Sequence, residues 1–222
     1  MGRPRSAKGR ARLTADRLAE EFPGSATELC ALSHHTPFQL LAATILSAQC
    51  TDVRVNMVTP ELFAAYPDAA VLARADPARV EEIIRSTGFF RAKTRSLIGM
   101  ATAVRDRFGG EVPTELADLV TIPGVGRKTG NVLRSVAYGL PGLPVDTHVL
   151  RLSSRLGLTE DLELAARADP VKVEQALNAM IPASERGAFS LRLILHGRAT
   201  CTARQPSCGD CQLADFCPSA SA

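Results

Sequence analysis

Apolar residues recur along this chain at three- and four-residue spacing, and two-residue alternation is missing. "HTPFQLLAATILSAQ" is the clearest case. Thr36 suits an N-cap, Pro37 suits the first helical position, and Phe38, Leu41 and Ile45 then fall on one face. The same opening recurs in "ADPARVEEIIRSTG" with Asp76 and Pro77, closed by Gly88, and in "ADPVKVEQALNAM" with Asp169 and Pro170. "FFRAKTRSLIGMATAVRDRFGG" reads as a helix ending at Gly109–Gly110, and "VPTELADLVTI" as a short helix capped by Thr114. The prediction is an all-α protein of about nine or ten helices. With 222 residues, 45% of them hydrophobic, the core is large enough for one large domain or two small ones. Gly139, Pro141, Gly142 and Pro144 in "YGLPGLPVDTH" mark a domain crossing.

Composition supports helices: aromatics are 5% and there is no Trp. The net charge of +3 is unevenly spread, because residues 1–14 hold Arg3, Arg5, Lys8, Arg10 and Arg12 and no acid. That stretch reads as a basic disordered tail, either a nonspecific phosphate contact or merely solvated. No apolar segment follows it as in a signal peptide, and "LLAATIL" is too short to span a bilayer. The expected protein is soluble, a monomer, with no membrane partner. It is expected in the cytoplasm, and on the nucleoid if the source is bacterial. In a reducing compartment its six cysteines are metal ligands or free thiols.

Two stretches carry chemistry. In "TIPGVGRKTGNVL", Pro123-Gly124-Val125-Gly126 joins a helix ending near Ile122 to one starting near Arg127. Glycine permits positive φ and close approach of another backbone, and a helix start offers amides and a partial positive charge to a phosphate. Gly124, Gly126 and Arg127 are therefore candidate DNA-backbone contacts, in a helix-hairpin-helix over about residues 116–135. A plain αα-turn with a glycine cap would use the same residues. The second stretch holds Cys201, Cys208, Cys211 and Cys217 in the spacing C-x6-C-x2-C-x5-C. Four thiolates suit Zn²⁺ or a [4Fe–4S] cluster, and the single C-x2-C knuckle leans to iron–sulfur. Cys30 and Cys50 read as core thiols on apolar helix faces.

The hairpin and the cysteines, together with "LSAQCTD" (Leu46–Asp52), "STGFFRAK" (Ser86–Lys93) and "VDTHVLR" (Val145–Arg151), resemble the endonuclease III family of DNA base-excision glycosylases. The resemblance runs from about Thr36 to Cys217. It implies the two-domain helix-hairpin-helix glycosylase fold, with DNA and active site in the cleft between two helical domains. One domain would span residues 30–140; the other would combine 15–29 with 141–222. It implies a structural [4Fe–4S] cluster on the 201–217 loop, whose Arg198 and Arg204 would meet DNA.

The resemblance further implies that Lys128 is the nucleophile. Its amine would attack C1′ of an oxidised pyrimidine nucleotide in duplex DNA, and the Schiff base would permit β-elimination at the abasic site. An ordinary lysine is protonated at neutral pH, so burial in a closed cleft and the helix start are expected to favour the neutral amine. The catalytic carboxylate falls on Asp146, which by itself reads as an N-cap. Gln49 would fill the space of the extruded base and Phe89 would wedge the opposite strand. For Gln49 the residues alone suggest helix-end capping, and for Phe89 core packing. His148 falls near the pocket. Gly130 and Phe89 depart from the family pattern, where a larger small residue and an aliphatic wedge are usual. Two other readings share these features: a monofunctional adenine-type glycosylase, and a non-catalytic DNA-binding protein with a zinc site. The first lacks support because Lys128 is present and Leu40–Asp52 holds no Glu.

Overall fold

The computed structural model describes residues 4–159 and 168–220, where all regular structure is helical. In chain order the helices are α1 (Ala7–Glu21), α2 (Ala26–Leu29), α3 (Pro37–Leu46), α4 (Asp52–Ala65), α5 (Ala69–Leu72), α6 (Pro77–Ile84), α7 (Phe90–Arg107), α8 (Leu116–Leu119), α9 (Arg127–Val132), α10 (Thr147–Arg155), α11 (Pro170–Met180) and α12 (Arg186–Ala199). None is long and apolar enough to cross a membrane. The chain divides into two compact units, Cys30–Tyr138 and Met1–Leu29 with Gly139–Ala222.

In the unit Cys30–Tyr138, α3, α5 and α6 pack on the long α7. Leu97, Met100 and Val104 of α7 are wholly buried, as are Leu40, Leu41 and Leu46 of α3. The helix starts follow the local chemistry. Thr36 Oγ1 accepts from Gln39 N at 3.2 Å and Asp76 Oδ1 from Ala78 N at 3.0 Å, each ahead of a proline in the first turn. The Thr114 cap does not form. The chain enters α8 one residue later, at Glu115, and Thr114 is held through its carbonyl by Arg134 Nη1 at 2.5 Å. Cys30 and Cys50 are half-buried, but neither lies on a helix face. Cys30 follows α2, and Cys50 ends the turn after α3 with its N–H on Ser47 O.

In the other unit, α12 packs against α1, α2 and α10 over one core that includes Leu18, Val149, Leu177, Phe189 and Leu193. The basic stretch is not a disordered tail from Ala7 onward. Ser6 caps α1 by accepting from Gly9 N, and Ala11, Thr14, Ala15 and Leu18 are buried along one face. The basic residues fit because Arg10 leaves that face through its guanidinium. It donates to Leu156 O at 2.9 Å and Gly157 O at 2.5 Å, while Arg5, Lys8 and Arg12 stay exposed. Arg3 lies outside the described residues.

Candidate functional site

The hairpin follows α8 directly. Val125 N–H closes the turn on Ile122 O at 3.0 Å, and the first helical bond of α9 runs from Gly130 N to Gly126 O at 2.9 Å. Gly124 takes φ +79°, and a Cβ there would meet Ser96 Cβ of α7 at 2.9 Å. Only glycine satisfies both conditions. Gly126 differs: its φ is −92°, and a Cβ there would meet nothing within 4 Å. Among the described residues no contact calls for glycine at 126. Gly130 is filled from outside, since a Cβ would meet Leu116 Cδ1 at 2.6 Å. The methyl of α8 thus takes the space that a side chain on α9 would use.

Lys128 stands in the first turn of α9, beside exposed Arg127. The expected burial is not met, because Lys128 is exposed.

Gln49 and Phe89 share a backbone feature that the sequence did not reveal. Among the described residues they are the two non-glycine positions with positive φ, 52° and 47°. The left-handed region costs an L-residue about 1–2 kcal/mol. Gln49 is exposed in the turn between α3 and α4; Phe89 is 65% exposed at the start of α7. Thr51 caps α4 and a backbone turn closes α3, so Gln49 is not the helix-end cap. Phe89 is not in the core; its neighbour Phe90 takes the arginine contacts, with Arg85 and Arg91 within 6 Å of its ring.

The remaining candidates lie on the other unit. Asp146 caps α10, its Oδ1 accepting from His148 N at 2.8 Å and Val149 N at 3.0 Å. That fixes the carboxylate at the helix start, where negative charge is favoured. His148 Nδ1 lies 3.1 Å from Arg151 Nη2. Burial pushes the His148 imidazole below its ordinary range, and the charges of Arg151 and Arg198 act in the same sense against Asp146. Arg198 is exposed near the end of α12.

The four cysteines, none in a disulfide, line one cavity together with Leu152, Leu156 and Leu213. Among the described residues no three His, Cys, Asp or Glu side chains converge as on a single ion. A cavity ringed by thiols is what a polynuclear cluster needs, because each thiolate ligates a different iron. Burial pushes the Cys211 and Cys217 thiols up, so each needs a metal to persist as thiolate. Arginines absent from the sequence reading hold the loop. Arg155 donates to Cys201 Sγ at 3.2 Å, Thr202 O at 2.7 Å and Ala203 O at 2.8 Å; Arg151 donates to Gly197 O at 2.8 Å and Cys201 O at 2.9 Å. Arg204 is exposed on that loop. Buried His196 bridges Glu21 Oε2 at 3.0 Å and Cys211 Sγ at 3.5 Å, tying α1 to the cysteines.

Comparison with known proteins places this geometry. Residues 42–183 match the HhH-GPD superfamily of base excision DNA repair proteins. Residues 201–217 match the iron–sulfur binding domain of endonuclease III, which decides for iron–sulfur over zinc. Endonuclease III of Synechocystis is 52% identical over 92% of this chain and 90% of its own. A non-covalent endonuclease III–DNA complex superposes with a TM-score of 0.87 at 38% identity, and a trapped covalent endonuclease III–DNA intermediate with 0.87 at 39%, each covering 96% of both chains. The chain belongs to the endonuclease III family, the base-excision DNA glycosylases with AP lyase activity that carry a [4Fe–4S] cluster.

Proposed function

We propose that this enzyme removes oxidised pyrimidines from duplex DNA with Lys128 as nucleophile and Asp146 as its electrostatic partner. The observation that carries the reading is a lysine in the first turn of a helix entered through left-handed Gly124 and uncovered Gly126. Gly124, Gly126 and Arg127 hold the DNA backbone, so the amine meets a nucleotide turned out of the duplex. Since Lys128 is exposed in the free chain, the bound duplex is what covers it.

Lys128 Nζ attacks C1′, and the N-glycosidic bond breaks with its electron pair leaving on the base, which takes up a proton. Asp146 stabilises the positive charge that develops on the sugar and accepts the proton from the amine. The sugar ring opens to the Schiff base. Loss of a C2′ proton then expels the 3′ phosphate, and water releases the lysine. Gln49 and Phe89 fill the space left in the duplex; His148, Arg198 and Arg204 contact DNA around the site. Cys201, Cys208, Cys211 and Cys217 ligate the cluster, which when bound crosslinks the 201–217 loop. The enzyme works as a monomer on DNA in the cytoplasm, on the nucleoid if the source is bacterial.

Borohydride trapping on a duplex with one thymine glycol tests the reading. The wild type forms a covalent complex. Lys128→Ala forms none and loses strand cleavage by on the order of 10³-fold or more, while still binding DNA. Trapping on an abasic site alone would keep the chemistry and overturn the lesion class.

A further inference from the structure

Left-handed Phe89 stands in the turn that leads into α7, and one buried side chain closes that turn. Lys93, on the second turn of α7, is 5% exposed. Its side chain reaches back across the Gly88–Phe89 turn. Its Nζ donates to Thr87 O at 2.8 Å, while its N–H makes the first helical bond of α7, to Phe89 O at 3.0 Å. Thr87 is itself buried and anchored, Oγ1 to Ile84 O at 2.8 Å. A lysine is seldom fully buried, and burial here pushes its pKa down. Its charge therefore opposes its own burial, and a methionine would fill the same space without that opposition. One turn further along α7, Ser96 abuts Gly124, and Gly99 abuts Pro123. The helix that carries Phe89 and Lys93 thus also backs the hairpin of Lys128.

We propose that Lys93 is a positioning residue: it ties Thr87 O to the start of α7 and so holds the left-handed backbone of Phe89, whose ring then stands ready to enter the duplex. The proposal rests on the reading that Phe89 fills the opened DNA. The amine does not touch substrate; its effect falls on base extrusion rather than on bond-making. Phe89 needs such a clamp more than a glycine would, because its own Cβ favours escape to the right-handed region.

The test uses the full, cluster-loaded chain and Lys93→Met, which keeps the length of the stem and removes the donor. Extrusion is read from the fluorescence of 2-aminopurine placed opposite thymine glycol. Chemistry is read from borohydride trapping on a single-stranded abasic oligonucleotide, where no duplex must be opened. We expect Lys93→Met to lose most of the fluorescence rise and about tenfold in duplex kcat/KM, with single-stranded trapping within about twofold of wild type. Lys93→Gln, which keeps an N–H donor, should recover part of the loss and serves if the methionine variant does not fold. Added to Phe89→Ala, Lys93→Met should cost little more, because the ring it positions is gone. A fluorescence rise and duplex rate equal to wild type would overturn the proposal. So would an equal loss on single-stranded DNA, or an undiminished cost in the Phe89→Ala background. If Phe89→Ala itself leaves the fluorescence rise intact, the insertion reading falls first, and that result is separate from any result on Lys93.

Discussion

The two units hold themselves together by different means. In Met1–Leu29 with Gly139–Ala222, arginines reach across the chain to backbone carbonyls. Arg10 binds Leu156 O across 146 residues, Arg192 binds Phe22 O across 170, and Arg17 binds Gln212 O across 195. In Cys30–Tyr138 the comparable bonds are shorter in sequence: Arg134 to Thr114 O across 20 residues, Asn56 to Ala31 O across 25, Tyr138 to Val112 O across 26. There shape does more of the work, through glycines that let helices touch. The contrast suits the roles proposed for each. A surface that presents bare backbone to DNA cannot be fastened by long side chains. A loop that holds a cluster can be, and guanidinium groups supply donors without adding thiolate-like charge.

Breaking the cluster site gives the largest effect. Cys208→Ser should abolish the visible absorbance of the cluster and cost its own unit on the order of several kcal/mol. In limited proteolysis a fragment spanning residues 30–138 should survive while the rest is digested. Loss of both units in one step would refute the division of labour. Gly124→Ala comes next. With φ +79° and Ser96 Cβ at 2.9 Å, it should cost about 1–3 kcal/mol by denaturant melt and weaken DNA binding. Gly130→Ala is its control. The clash there is with the end of a flexible leucine, which can turn aside, and alanine favours the helix, so stability should stay within about 0.5 kcal/mol. Arg10→Ala removes three bonds to carbonyls, two of them partly buried, and should cost about 1–2 kcal/mol, nearly independent of salt because the acceptors are neutral. Arg79→Ala, which breaks exposed ion pairs to Glu61 and Glu82, should leave the Tm unchanged.

The same contrast explains what could be read from the residues alone. Thr36-Pro37, Asp76-Pro77 and Asp169-Pro170 mark helix starts because a cap and its proline act within one turn. The hairpin and the cysteine spacing are equally local. α1 was hidden because its stripe of Ala11, Ala15 and Leu18 is thin, and Arg10 finds two of its three acceptors 146 and 147 residues away. The arginines around the cysteines were illegible for the same reason. The strained backbones of Gln49 and Phe89 had no signal at all: neither residue type asks for the left-handed region, and only the surrounding structure imposes it. Lys93 was quoted within a motif, yet burial and bonding to Thr87 O are what single it out.

The split unit also sets a schedule. Domains tend to fold as they emerge from the ribosome, at roughly 5–20 residues per second. Residues 30–138 leave as one uninterrupted run and can condense while residues 139–222 are still unmade. α1 emerges before them, yet most of what it packs against does not exist. Its thin apolar stripe must wait, solvated, until α11 and α12 have been made. The first helix to emerge is thus among the last to find its place, on a chain already half folded.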